Sequence, residues 1–142
     1  MSTRAIITFR NEGDTPVCCI YKHFDGYVDG LGYSLARWLK RMTLINGIRD
    51  ERQYGHDYAN GIGCLAAKWI ADNKEETGDI YMCGSGGHEA YNYDVVLQRQ
   101  KMSGMNGAKA DDCIVIAVKD YKGDLIFSGT PSELLEFEEN DG

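Results

Sequence analysis

Proline, histidine and long apolar runs are all scarce in this chain of 142 residues, and each shortage closes off a class of protein. Two prolines, beside 43% apolar and 11% aromatic residues, are too few for a proline-rich linker; the composition is that of a globular chain throughout. No apolar run comes near the roughly 18 residues that read as a membrane span, and Met1-Ser2-Thr3-Arg4-Ala5 opens no long apolar leader. A cytoplasmic location without a membrane partner is the expectation. The five cysteines, Cys18, Cys19, Cys64, Cys83 and Cys113, include no C-x-x-C pair and are odd in number. Neighbours such as Cys18 and Cys19 point to opposite faces of a strand, so reduced thiols are expected rather than a disulfide framework.

Positive charge is also short. Fifteen Lys and Arg against 22 Asp and Glu leave a net −7 and a pI near 4.9. Affinity for nucleic acid comes mainly from cations placed on phosphates, so direct nucleic-acid binding is not expected. The excess is local: residues 131–142 hold Glu133, Glu136, Glu138, Glu139 and Asp141 with no base, while the other 130 residues carry 17 acids and 15 bases. A body at −2 is a poor mimic of duplex DNA, which leaves any electrostatic role to the C-terminal dozen.

A chain near 150 residues buries about 68–70% of its unfolded surface without help from metal or disulfides, so one domain, residues 1–137 with an acidic tail at 138–142, is expected. Ala5 to Phe9 and Val17 to Phe24 are β-branched and aromatic runs joined by a polar turn, and read as a hairpin. Leu31, Leu35, Trp38, Met42 and Ile45 recur at helical spacing up to Gly47. Ile48 to Asp57 reads as a loop. A second helical stripe, Ile62, Leu65, Ala66, Trp69 and Ile70, follows two glycines, Gly61 and Gly63, that call for close backbone contact or a later start. Asp79–Cys83, Tyr91–Leu97, Cys113–Lys119 and Asp124–Ser128 read as strands, the third central because it is apolar on both faces. Thr130-Pro131-Ser132-Glu133 is a capping-box start for a short helix. The order ββααββββα predicts an α+β domain: a mostly antiparallel sheet of about six strands, two main helices on one face and a short C-terminal helix.

The densest polar and aromatic cluster runs from Tyr21 to Gly32. Alternation places Tyr21 and His23 on one strand face and Lys22 and Phe24 on the other. The glycines would let backbone amides approach a ligand at a helix start, where an anion is favoured, although Asp25 and Asp29 would repel it and fit turn or capping roles. Tyr91 and Tyr93, on one strand face, offer a stacking floor, with Tyr21 opposite if the strands pair. Tyr21, His23, Asp25, Gly26, Tyr27, Tyr91 and Tyr93 are therefore the candidate ligand-binding residues. His23, His56 and His88 each have a nearby carboxylate, but no pair has helix-face spacing; His23, Asp25 and His88 form the one metal set worth testing. Gly84-Ser85-Gly86-Gly87 could form an anion nest, and otherwise is an ordinary connection. Cys83 with His23 or His88 would make a nucleophile only if its thiol were activated, against the usual inertness of strand cysteines. Arg37, Lys40 and Arg41 share a solvated helix face that a partner with acidic groups could use. No cofactor is expected.

Thr3-Arg4-Ala5 before an apolar strand, Tyr21-Lys22-His23-Phe24-Asp25-Gly26-Tyr27 with Gly30 and Gly32, and the ending Ile126 to Leu134 resemble a family of small uncharacterised phage, prophage and bacterial proteins. Its members begin T-R-A and carry Y-x-H/Q-x-D-G-Y-P-x-G-x-G before a helix; Val28 stands here where the pattern usually has proline. The resemblance implies a phage or mobile-element origin, and with it a host cytoplasm, but no activity. The expected function is accordingly a small binding protein that engages a host protein or a small nucleotide. A metal-assisted hydrolase or nuclease using His23, Asp25 and His88, with Asp29, is one alternative, and a structural component self-associating through a sheet edge is another.

Overall fold

The computed structural model describes residues 3–47, 55–84, 87–102 and 107–139. The two runs of β-branched and aromatic residues at the start form β1 (Ala5–Asn11) and β2 (Cys18–Lys22), paired antiparallel as a hairpin. They join β5 (Ile80–Met82), β6 (Tyr91–Leu97), β8 (Ile114–Asp120) and β9 (Leu125–Gly129) in a six-stranded sheet of order β5-β2-β1-β6-β8-β9. Four of the five pairings are antiparallel; β1 and β6, at the centre, run parallel. A parallel pair needs a long crossover, and the intervening segment with both main helices supplies it.

Register sends alternate residues of each strand to one face. Ala5, Ile7 and Phe9 on β1, Ile20 on β2, Tyr93, Val95 and Leu97 on β6, and Ile114, Ile116 and Val118 on β8 are all buried there. Over that face lie α1 (Tyr33–Lys40) and α2 (Gly61–Asn73), which bury Leu35, Ala36, Trp38 and Leu39, and Ile62, Leu65, Ala66 and Trp69. A short α4 (Pro131–Glu136) packs against α1, and Thr130 and Glu133 make both halves of the expected capping box. The result is a single α+β domain with two main helices on one face of a mixed sheet.

Four expectations need correction. The helical stripe from Leu31 to Ile45 ends at Lys40, and Thr43–Ile45 becomes β3 because its β-branched ends pair with two neighbours. Those neighbours, β4 (Tyr58–Asn60) and β7 (Ala108–Lys109), complete a second, three-stranded sheet invisible in the sequence, since strands of two or three residues carry no period. Of the expected loop at 48–57, residues 48–54 lie outside the described residues. Cys113 is not on a strand but closes a helical turn, α3 (Ala110–Cys113). The strand after it lies between β6 and β9, so β1 and β6 take the centre. Finally, Gly61 serves backbone conformation rather than close contact: its φ is +84° and a Cβ there would meet open space.

Candidate functional site

At the end of β2 the chain turns away from the sheet into Asp25-Gly26-Tyr27, a π-helical turn (Val28–Gly32) and then α1. Three contacts hold this segment down. Gly26 N–H donates to the Thr3 carbonyl at 2.9 Å, Leu31 N–H to the Asp25 carbonyl at 2.9 Å, and the buried Tyr93 hydroxyl to the Gly26 carbonyl at 2.7 Å. Glycine is required at 26 by packing, since a Cβ would lie 2.7 Å from Ala5 Cβ. The amides of Gly26, Gly30 and Leu31 are thus spent on the protein's own carbonyls, and the turn does not offer them to an anion. Asp25 caps no helix; one of its carboxylate oxygens accepts from the Tyr27 hydroxyl at 3.3 Å, and the Asp25 charge pushes the Tyr27 phenol above its ordinary pKa, so it stays a proton donor.

This segment forms one wall of a cleft of about 310 Å³. The other walls come from the end of β2 (Lys22), the first turn of α1 (Ser34), the far half of α2 (Trp69, Asn73) and the approach to β5 (Asp79, Ile80). Lys22 Nζ lies 2.8 and 2.7 Å from the two Asp79 oxygens, one of which also accepts from Phe24 N–H at 3.2 Å. The ion pair spans 57 residues of chain and ties β2 to the loop before β5. Asp25 (φ 58°) and Asp79 (φ 74°), the non-glycine residues in the left-handed region among those described, both line this cleft. Aspartate visits that region more readily than most residues, and such conformations gather at ligand sites. Trp69 is 1% exposed, and its indole N–H is buried with no hydrogen-bond partner among the described residues. An unmade bond of that kind costs about 1–3 kcal/mol.

The remaining candidates are dispersed. Tyr21 pairs with Ile6, on the sheet face away from the helices, whereas Tyr91 and Tyr93 pair with Ala5 and Ile7 on the helix-covered face. Because β1 lies between β2 and β6, Tyr21 cannot face the two tyrosines across a strand pair. Tyr21 hydroxyl instead hydrogen-bonds His23 Nδ1 at 2.7 Å, with Tyr81 and Phe24 rings close by. Tyr91 donates to Glu139 at 2.7 and 2.8 Å and lines a separate cavity of about 610 Å³ with Tyr27, Asp29 and Tyr33. Tyr27 thus stands between the two cavities. His88 contacts the Tyr121 carbonyl and His56 Nε2 lies 2.9 Å from Asp72, so the histidines do not converge. Among the described residues no three His, Cys, Asp or Glu side chains are grouped to hold a metal, and the set His23, Asp25 and His88 is not assembled. Burial first, and then Cys19 and Cys18, push the Cys83 thiol up to about 11, which keeps it protonated and unreactive at neutral pH. Ser85 and Gly86 of the glycine-rich run lie outside the described residues.

Of the cleft's residues, Lys22, Asp25, Tyr27, Gly30 and Leu31 belong to the segment singled out in the sequence, with Asp25 and Tyr27 among the candidate ligand-binding residues; Ser34, Trp69, Asn73, Asp79 and Ile80 were missed. Alternation already set Lys22 on the face opposite His23, but only the tertiary structure brings Asp79 and Trp69 to it. No protein-family model matches the chain, and neither a curated protein nor a solved structure does.

Proposed function

We propose that this protein binds a small polar molecule in the cleft between Lys22, Tyr27, Trp69 and Asp79, and that it works by capture rather than by chemistry. The observation that carries this reading is the convergence of side chains from β2, α1, α2 and the approach to β5 on one cavity whose wall holds Tyr27, Trp69, the Lys22–Asp79 pair and the left-handed Asp25. Around it stand groups suited to orienting a guest: the Tyr27 phenol, the Asp25 carboxylate, the Ser34 hydroxyl and an aromatic wall. A volume of about 310 Å³ is at the small end of ligand pockets, which run to roughly 300–1,000 Å³. Capture is preferred to hydrolysis because, among the described residues, no histidine lines the cleft and Asp79 is engaged by Lys22 and Phe24 N–H. In the phage or prophage setting that the family resemblance implies, sequestering a host metabolite is the role such a protein would play in the cytoplasm.

Thermal denaturation against a broad panel of small metabolites tests the reading. A ligand at about 100 times its Kd adds roughly 2.7 kcal/mol to the native state, readily seen as a rise in Tm. That rise should shrink in Tyr27→Ala, which removes the exposed ring of the cleft wall. A panel without a hit, or a hit indifferent to Tyr27→Ala, Lys22→Met and Asp25→Asn alike, would refute it. A second reading, self-association, rests on the β5 edge, where Tyr81, Met82 and Phe24 are exposed beside a strand side that no strand among the described residues pairs. Light scattering that finds a monomer at all concentrations would remove it.

A further inference from the structure

Two walls of the cleft, Ser34 on α1 and Asn73 at the end of α2, also line a second depression of about 590 Å³, so the cleft runs on into a groove along α1. The groove is lined by Arg37, Lys40 and Arg41, over a floor that includes Trp38 and Leu135. Ser34, Arg37, Trp38 and Arg41 are spaced three, one and three apart, which places them on one helix face leading out of the cleft. Seven residues of rise from Ser34 to Arg41 make a track of about 10 Å.

Arg37 and Lys40 form no ion pair among the described residues. The nearby carboxylate of Asp72 accepts instead from Trp38 Nε1 at 2.7 Å and meets His56 at 2.9 Å, with Arg41 acting on it only as a neighbouring charge. In a chain with net charge −7, three cations on one face, opening from a cleft walled by an exposed aromatic ring, are the arrangement for a ligand with an anionic end.

From this continuity we infer that the ligand is a nucleoside phosphate: its base occupies the cleft against the exposed Tyr27 ring, and its phosphates lie along Arg37, Lys40 and Arg41. A planar head suits an aromatic wall. A flexible anionic tail suits exposed cations seven residues along a helix. Three bound cations also make the affinity salt-dependent, since exposed charges are screened. This inference rests on the reading of the cleft as a ligand site, and it adds the chemical class.

The test is a titration of the full chain, followed by tryptophan fluorescence and calorimetry, with the four common nucleosides, their 5′-diphosphates and inorganic pyrophosphate. At least one diphosphate should bind tenfold or more tightly than its nucleoside and than pyrophosphate. In Arg37→Gln/Lys40→Gln, whose side chains are exposed and whose fold is checked by its Tm, the diphosphate should weaken tenfold or more and lose most of its salt dependence, with the nucleoside unchanged. Tyr27→Ala should weaken nucleoside and diphosphate together. Equal binding of nucleoside and diphosphate, or a diphosphate indifferent to the double variant, overturns the phosphate groove; the cleft reading then stands if Tyr27→Ala still weakens both. Pyrophosphate binding as tightly as the diphosphates overturns the base site. Failure of every nucleoside and nucleotide overturns the class, while the wider metabolite panel decides the cleft.

Discussion

Replacing Tyr93 by Phe tests whether one buried hydrogen bond holds the cleft wall to the sheet. Tyr93 is 1% exposed and its hydroxyl donates to the Gly26 carbonyl at 2.7 Å, while Gly26 itself is buried against Ala5. Removing the hydroxyl leaves that carbonyl without its donor in a place water does not reach, a loss of about 1–3 kcal/mol. For a domain of this length each kcal/mol moves Tm by roughly 3–4 °C, so a loss near 2 kcal/mol lowers Tm by about 6–8 °C. Thermal and urea denaturation at pH 7 measure it, and the urea slope should be unchanged because the surface exposed on unfolding is the same. Amide exchange at Gly26 and Leu31 should quicken more than at the centre of β6, since the segment loses its anchor to the sheet. The control is Tyr121→Phe, at an exposed ring, expected within about 0.5 kcal/mol of wild type. A Tyr93→Phe variant equally close to wild type would show that the segment is held by packing of its glycines alone.

Alkaline stability follows from three acids whose charged forms are disfavoured by desolvation. Burial first, then the Tyr91, Glu139 and Asp29 charges, raise Tyr93 well above its ordinary value of 10.0, and burial pushes the Cys83 and Cys113 thiols from 9.0 up to about 11. The native state holds these protons after the unfolded chain has released them, so stability is intact below pH 9 and falls as pH rises from there through 11; denaturation midpoints between pH 8 and 11 measure this, and Tyr93→Phe should flatten the upper part of the fall. Gly107→Ala should cost at least about 2 kcal/mol, because at φ +70° its Cβ would sit 2.0 Å from the Leu44 carbonyl oxygen; equilibrium unfolding close to wild type would mean that β3 and β7 can shift apart. Thr130→Ala should cost about 1 kcal/mol by removing the hydroxyl that accepts from Glu133 N–H at 3.2 Å, and Thr130→Ser should restore most of it.

Much of the fold was legible in short windows. The six strands of the main sheet, the two helices and the capped C-terminal turn all announce themselves through local period or a local motif. β6 emerges with its predicted bounds because its run of aromatic, β-branched and apolar residues is continuous from Tyr91 to Leu97 but for Asn92 and Asp94. The missed strands have one cause: Thr43–Ile45, Tyr58–Asn60 and Ala108–Lys109 are too short to show a period, and their pairing is set by chain brought together from far apart. The same limit governs the site. The Asp25–Gly32 turn could be singled out as an aromatic and glycine-rich cluster before a helix, but the reason for Gly26 is Ala5 on a neighbouring strand. Pairing of Tyr21 with the two tyrosines of β6 failed because strand order, which no local pattern encodes, inserts β1 between them.

By itself, then, the sequence determined the fold class, the faces of the long elements, the helix cap and the segment that walls the cleft, because each depends on contacts within a few residues. The partners of that segment were decided by the tertiary structure alone. Lys22 reaches Asp79, Trp69 loses a partner for its N–H, and the basic face of α1 continues the cleft. Each of those facts depends on how the crossover between β1 and β6 lays two helices across one sheet, a global packing choice that fixes which distant residues share a surface.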